Sequence, residues 1–173
     1  MSKIYIVLTY TGTILSRIVK GYTKKEYSHI SIALDKNLKQ MYSFGRKTAY
    51  NPFNAGFVHE STEKGIFKRF NKTKTKIYSL EVDQEQYKKI KEIISDFNSN
   101  QENYRFNMMG VIFAAIHLKL RRERCFYCAE FVKYVFDNSN LEFDLPEIIK
   151  PEDFERLDGI NEIYTGILNE YKM

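Results

Sequence analysis

The sequence predicts an α+β fold, and three observations carry that reading. Strand-like runs fall mainly in the first half: an apolar run at residues 3–9, alternating runs at 28–34 and 76–82, and the return arm of a hairpin at 39–45. Apolar residues at helical spacing dominate from Asp83 onward. At 173 residues, with 43% hydrophobic and 28% charged side chains, the chain is long enough to bury an ordinary core. No repeat, linker or low-complexity tract divides it, so a single domain over residues 1–173 is expected.

Taken in order, Ile4-Tyr5-Ile6-Val7-Leu8 reads as a first strand. Thr11 or Thr13 then caps a short helix through Ile14, Leu15, Ile18 and Val19, ended by Gly21. In residues 28–34, Ile30, Ile32 and Leu34 point one way and His29, Ser31 and Ala33 the other. Asp35-Lys36-Asn37 turns the chain, and residues 39–45 return as the second arm of a hairpin. With Ile30 and Ile32 opposite Phe44 and Tyr42, Ser43 shares the face that carries His29. Residues 46–57 read as a loop, with Asn51-Pro52 and Gly56, and residues 57–67 fit neither period.

After the strand at 76–82, Asp83 and Gln86 form a near capping box for a helix through Tyr87, Ile90, Ile93, Ile94 and Phe97. Residues 98–102 break it. Residues 104–120 read as the most apolar helix, with Met108 and Met109 leading into a stripe of Val111, Ile112, Ala115 and Leu118. Another helix begins near Tyr127 and buries Phe131, Val132, Val135 and Phe136. Pro146 and Pro151 punctuate a loop, and residues 162–171 suit either a terminal helix or a last strand.

Composition excludes several classes. Two cysteines do not make a disulfide framework. The N-terminal apolar run has no small-residue cleavage site, and no apolar stretch reaches the ~18 residues of a membrane span, so a cytoplasmic location is expected. The net charge of +5 gathers in residues 67–76 and 119–124, patches suited to anionic membranes or anionic cell-wall polymers. A solvated lysine-rich loop explains the same patches, and nucleic acid is not an expected partner. No phosphate-binding glycine loop, dinucleotide fingerprint or zinc-protease motif occurs, so no cofactor and no metal are expected.

The chemistry concentrates at Arg124-Cys125-Phe126-Tyr127-Cys128, where Cys128 opens the helix. A thiol is a poor nucleophile at its ordinary pKa of about 8.5, and a helix N-terminus or a nearby imidazole stabilises the thiolate. His29, beside serines at the head of an alternating strand, is the best placed imidazole; His59 and His117 have weaker contexts. The alternative for Cys128 is a small buried hydrophobe. A third group usually orients the imidazole. Ser43 is the first candidate by hairpin geometry and Glu60 the second. Tyr10, just after the first strand, and Tyr127, beside the thiol, are the candidate substrate-binding residues. Cys125-x-x-Cys128 also fits a redox pair or half a zinc site, but it comes too late for the former and lacks further ligands for the latter.

Ser28-His29-Ile30-Ser31-Ile32-Ala33-Leu34, followed much later by Tyr127-Cys128-Ala129-Glu130-Phe131-Val132, resembles the permuted papain-like cysteine hydrolases. These are the YiiX/YebB-like relatives of the NlpC peptidases, which also resemble the lecithin:retinol acyltransferase group. In them the histidine strand precedes the cysteine helix, the reverse of papain's order. Their helix commonly reads Cys-Ser-Glu-Leu-Val, where this chain has Cys128-Ala129-Glu130-Phe131-Val132. The first strand and Pro151-Glu152-Asp153-Phe154 are similar too, so the likeness runs from about Lys3 to about Leu157.

The resemblance implies a small antiparallel sheet packed against helices, with Cys128 as nucleophile and His29 as general base. It places the third polar residue on the strand after the histidine, again Ser43; the second histidine that often stands there is absent. It implies hydrolysis of an amide, as in cell-wall peptides, through a thioester. Two rivals are carried with it: a lipid-directed acyltransferase or phospholipase using residues 108–118 as a groove, and an inactive binding module acting through its basic surface, which could extend to nucleic acid.

Overall fold

In the computed structural model, which describes residues 1–13, 16–17, 20–21, 24–48, 51, 54–115, 118–120 and 122–172, six strands form one antiparallel sheet. They are β1 (Ser2–Tyr10), β2 (His29–Ala33), β3 (Met41–Arg46), β4 (Ala55–Glu60), β5 (Lys74–Val82) and β8 (Ile160–Ile167), arranged β4-β3-β2-β1-β5-β8. A separate parallel pair joins β6 (Arg105–Phe106) to β7 (Cys125–Phe126). Four helices complete the elements used below: α1 (Gly65–Arg69), α2 (Gln84–Ser99), α3 (Met108–Ala115) and α4 (Cys128–Asn138). The mixed α+β class expected from the sequence is the class observed.

β1 sits inside the sheet, and its alternation is divided between two cores. Ile4, Ile6 and Leu8 join Ile30, Ile32, Phe44 and the helices in the larger one, while Tyr5 and Val7 join Ala33, Met41, Ile77, Phe67 and Leu168 in the smaller. Both faces of the strand are buried, so it reads as a continuous apolar run. The hairpin register is the expected one: Ile32 lies opposite Tyr42. Asp83 caps α2 through the backbone N–H of Gln86 at 2.7 Å, and the Gln86 side chain accepts from the Asp83 backbone N–H at 3.0 Å.

Four differences from the sequence reading matter for the site. β4 occupies part of the expected loop; it is an edge strand, paired on one side only, so its outer positions lack a clean alternation. α1 resolves the ambiguous stretch after it. The helix expected over residues 104–120 starts only at Met108, because Arg105 and Phe106 pair with β7 and Asn107 then caps it: the Asn107 Oδ1 accepts from the Gly110 N–H at 2.9 Å. Residues 162–171, left open between helix and strand, are mostly strand β8 followed by a single 3-10 turn. Ile14, Leu15, Ile18 and Val19 lie outside the described residues. The expected cap there is visible, with the Thr13 Oγ1 accepting from the Ser16 N–H at 3.4 Å.

Phe44 from β3, Phe57 from β4, Phe97 from α2 and Phe131 from α4 form a mutual cluster in which every pair of ring centroids lies 5.2 to 5.9 Å apart. Five of the six pairs are edge-on or tilted and Phe57–Phe97 is stacked, arrangements that add to area burial. The cluster fixes α4, and with it Cys128, against the sheet that carries His29. Phe131→Ala should therefore cost about 3–5 kcal/mol in chemical denaturation, as large cavities in cores do.

Candidate functional site

His29 is the first residue of β2, and Cys128 is the first residue of α4. They are about a hundred residues apart in sequence, and both line one cleft of about 130 Å³. On one side the imidazole lies close enough to the Cys128 sulfur for the two groups to interact electrostatically. On the other, its Nε2 stands 2.9 Å from the Glu60 Oε1. With Nε2 engaged by the carboxylate, Nδ1 is the ring nitrogen left for the sulfur. Glu60 ends β4, and its second carboxylate oxygen accepts a close hydrogen bond from the Ser31 hydroxyl. Ser31 Oγ also lies 3.4 Å from the His29 Nε2.

The electrostatics follow from burial and charge. Only 9% of the Glu60 side chain and 21% of the His29 side chain is accessible. Burial disfavours the charged imidazole, but the Glu60 carboxylate and the neighbouring Cys128 outweigh it. The net effect holds the His29 pKa well above its ordinary 6.5. The ring therefore keeps its proton through neutral pH.

Phe131 N donates to the Tyr127 carbonyl at 3.0 Å, the first bond of α4, so the N–H groups of Cys128 and Ala129 have no acceptor within the helix. The end of α4 is held by Glu130, whose carboxylate accepts from the Tyr127 N–H at 3.1 Å and from the Asn107 Nδ2 at 3.3 Å. Asn107 is fully buried and also caps α3, so it ties the two helix starts together. At Gly110 a Cβ would come within 2.2 Å of the Asn107 Nδ2, which leaves room only for glycine. The cleft itself is mostly apolar, with Phe67, Phe106, Val111, Ala114 and Ile149 among its lining and Arg46 and Lys150 as its cations.

The residues singled out in the sequence separate clearly. Cys128 and His29 come together. Ser43 does not join them: it lies opposite Ser31, as the register requires, but its buried hydroxyl donates to the Ile30 carbonyl at 2.6 Å. A serine side chain is short and bonds the nearest free strand carbonyl, whereas Glu60 spans the gap from the edge strand to the imidazole. The third position thus falls to the second candidate, Glu60. Tyr127 lines the cleft, with its hydroxyl committed to the Ile149 carbonyl at 2.9 Å; burial, then the neighbouring Glu130 carboxylate, pushes that phenol far up. Tyr10 packs against the core with the Lys20 ammonium 4.5 Å from its ring centre; Thr11 and Thr13 line the cleft in its place. His59 bonds the Lys39 carbonyl at 2.7 Å, away from the cleft, and His117 lies outside the described residues.

Sequence reasoning missed Ser31, Gly45, Asn107 and the work of Glu130. Gly45 faces His29, and a Cβ there would sit 3.2 Å from the imidazole Cε1. The signals existed: a serine two residues after the histidine on one face, and an asparagine at the head of an apolar helix. Cys125 lies in β7, outside the cleft, and both cysteines are free. Among the described residues, no group of three or more His, Cys, Asp or Glu is placed to hold a metal ion, and no helix is long and apolar enough to cross a membrane. No family model matches the sequence, and no curated protein matches it.

Because folding raises the His29 pKa, the stabilisation from the charged imidazole is complete below about pH 6.5 and fades as pH climbs through the raised value. Glu60→Gln removes its main electrostatic source. The stability gap between the wild type and Glu60→Gln should be widest near pH 6 and shrink toward alkaline pH, and the His29 ring resonances should titrate at lower pH in the variant.

Proposed function

We propose that the chain is a cysteine hydrolase of the permuted papain-like type, which attacks an amide or ester carbonyl through a covalent thioester. The observation that carries this reading is the His29 imidazole held between the Cys128 sulfur and the Glu60 carboxylate at an open cleft. The order of histidine strand before cysteine helix supports the permuted arrangement, as does α4 lying across β2 and β3. Two unpaired thiols support a reducing, cytoplasmic compartment.

The chemistry would run as follows. The Cys128 proton resides on His29, and Glu60 stabilises the resulting imidazolium. The Cys128 sulfur attacks the carbonyl carbon, and the C=O electron pair moves to oxygen. The N–H groups at the start of α4 receive that oxyanion. When the carbonyl re-forms, the bond to the leaving nitrogen or oxygen breaks, and the leaving group takes the proton from His29. Water then attacks the thioester carbonyl as His29 accepts its proton; the C–S bond breaks, the acid product leaves, and the Cys128 thiolate re-forms beside the protonated His29.

The leading substrate class is a peptide amide, as in cell-wall peptides. The apolar lining of the cleft favours a second reading, in which the carbonyl belongs to a fatty acyl group. The fit of Glu60 to His29 weighs against the third, an inactive binding module, since a buried carboxylate and imidazole are costly to keep together for packing alone.

Intact-mass analysis after exposure to electrophilic peptide and acyl mimics should show one adduct, on Cys128 and not on Cys125. Equal labelling of both thiols would sink the assignment. Cys128→Ala and His29→Ala should abolish turnover with circular dichroism unchanged, and Glu60→Gln should lower it by about 10²–10⁴-fold. Ser43→Ala should leave the rate within about twofold and cost only about 1 kcal/mol of stability, the worth of one buried hydrogen bond.

A further inference from the structure

Helix α3 has no polar face. Its residues, Met108-Met109-Gly110-Val111-Ile112-Phe113-Ala114-Ala115, carry no charge. One flank, Met108, Val111 and Ala114, lines the cleft beside Cys128. The other flank is uncovered: Met109 is 44% exposed and Ile112 53%. Leu118, just past the helix, is 52% exposed. Six large apolar side chains are exposed among the described residues, and these three all belong to this one segment. A helix that is apolar all round normally lies inside protein or in contact with lipid. At about 12 Å, α3 is too short to cross a bilayer.

Charge identifies what covers it. Residues 105–124 carry a net +4 of the chain's +5. Arg105, Arg122 and Arg124 are exposed and line one hollow together with Cys125, with Glu123 as the sole carboxylate among the described residues of its rim. None of the three arginines takes part in the ion pairs formed among the described residues. Arg105 precedes α3 by three residues, and its backbone N–H is bonded to the Arg124 carbonyl at 2.9 Å, so the cluster sits at the head of the helix. An uncovered apolar flank, on a helix headed by guanidinium groups that form no ion pair among the described residues, matches an anionic bilayer, which offers phosphates at the surface and hydrocarbon just beneath.

We infer that the outer flank of α3, with Arg105, Arg122 and Arg124, docks this protein on an anionic lipid surface. The docking face and the cleft wall are two flanks of one helix. A lipid-borne carbonyl would thus reach Cys128 without crossing bulk water. That consequence rests on the proposed hydrolase function, whereas the docking does not.

The test uses the full chain carrying Cys128→Ala, so that the fate of the chemistry and the fate of the docking are read separately. The protein is sedimented with vesicles of phosphatidylcholine alone, and with vesicles of phosphatidylcholine mixed with phosphatidylglycerol. It should partition onto the mixed vesicles only, and less so as salt rises. Arg122→Gln and Arg124→Gln should each weaken partitioning about fivefold. Ile112→Glu, and separately Met109→Glu, should weaken it at least about tenfold at an unchanged unfolding midpoint. Absence of binding to the mixed vesicles would overturn the inference. So would binding that Ile112→Glu and Met109→Glu leave intact, which would be simple charge adhesion. A concentration-dependent dimer that Ile112→Glu dissolves, without vesicle binding, would assign the flank to a second copy of the chain instead.

Discussion

The nearly buried Glu60 carboxylate is the constraint on which the site turns. A carboxylate that far from water needs donors on both oxygens, and it finds them in His29 and Ser31. Both donors lie on one face of β2, two residues apart, while the acceptor comes from β4, with β3 in between. The pairing therefore reaches across a strand, and it does so where that strand carries Gly45 under the imidazole. Any side chain at that position would press on the ring. Small residue, histidine and carboxylate form one steric and electrostatic unit, and removal of any one leaves the others badly placed or uncompensated.

The sulfur side is set by packing rather than by charge. Cys128 stands three residues before Phe131, which is locked into the four-ring cluster, and beside the fully buried Ala129. Glu130 and Asn107 then fix the angle at which the helix begins, through neutral and charged hydrogen bonds that a buried asparagine can satisfy from both ends. His29 is likewise adjacent to Ile30, which belongs to the same core. The meeting of thiol and imidazole is thus a property of the hydrophobic core, and only the fine alignment belongs to polar contacts.

How much of this was legible follows the same division. The parts dictated by apolar periodicity were readable: the strands holding Ile4 and Ile30, the Asp83 cap, the helix of Phe131, and hence the elements that carry Cys128 and His29. The register of Ile32 with Tyr42 was readable too, because it is fixed by which residues can face the core. What escaped was the element with the weakest local signal. β4 is an edge strand, with Phe57 on the core side and half-exposed or exposed neighbours after it, and its pairing is decided by β3 rather than by its own sequence. Glu60 rides on that strand, so its contact with His29 could not be preferred over Ser43. Ser43 had the right face and the wrong partner, since strand alternation specifies direction and says nothing of reach. Asn107 was missed because helical periodicity ran on through Tyr104, where two residues in fact pair as a strand.

That short parallel pairing has a consequence for the two cysteines. Three residues apart on a helix, they would present their thiols on one face. Instead Cys125 is in extended β7 and Cys128 is in α4, with Tyr127 as the bend between them, its hydroxyl anchored on the Ile149 carbonyl. The change of backbone conformation sends one sulfur to the arginine-lined hollow and the other to the cleft. A Cys-x-x-Cys spacing read alone suggests joint action, by redox exchange or shared metal. Here the same spacing separates the thiols, because β7 ends and α4 starts within it. The bond from Asn107 N–H to the Phe126 carbonyl, at 2.9 Å, closes β7 at that point. The residue that caps α3 therefore also sets where the strand stops and Cys128 becomes the head of a helix.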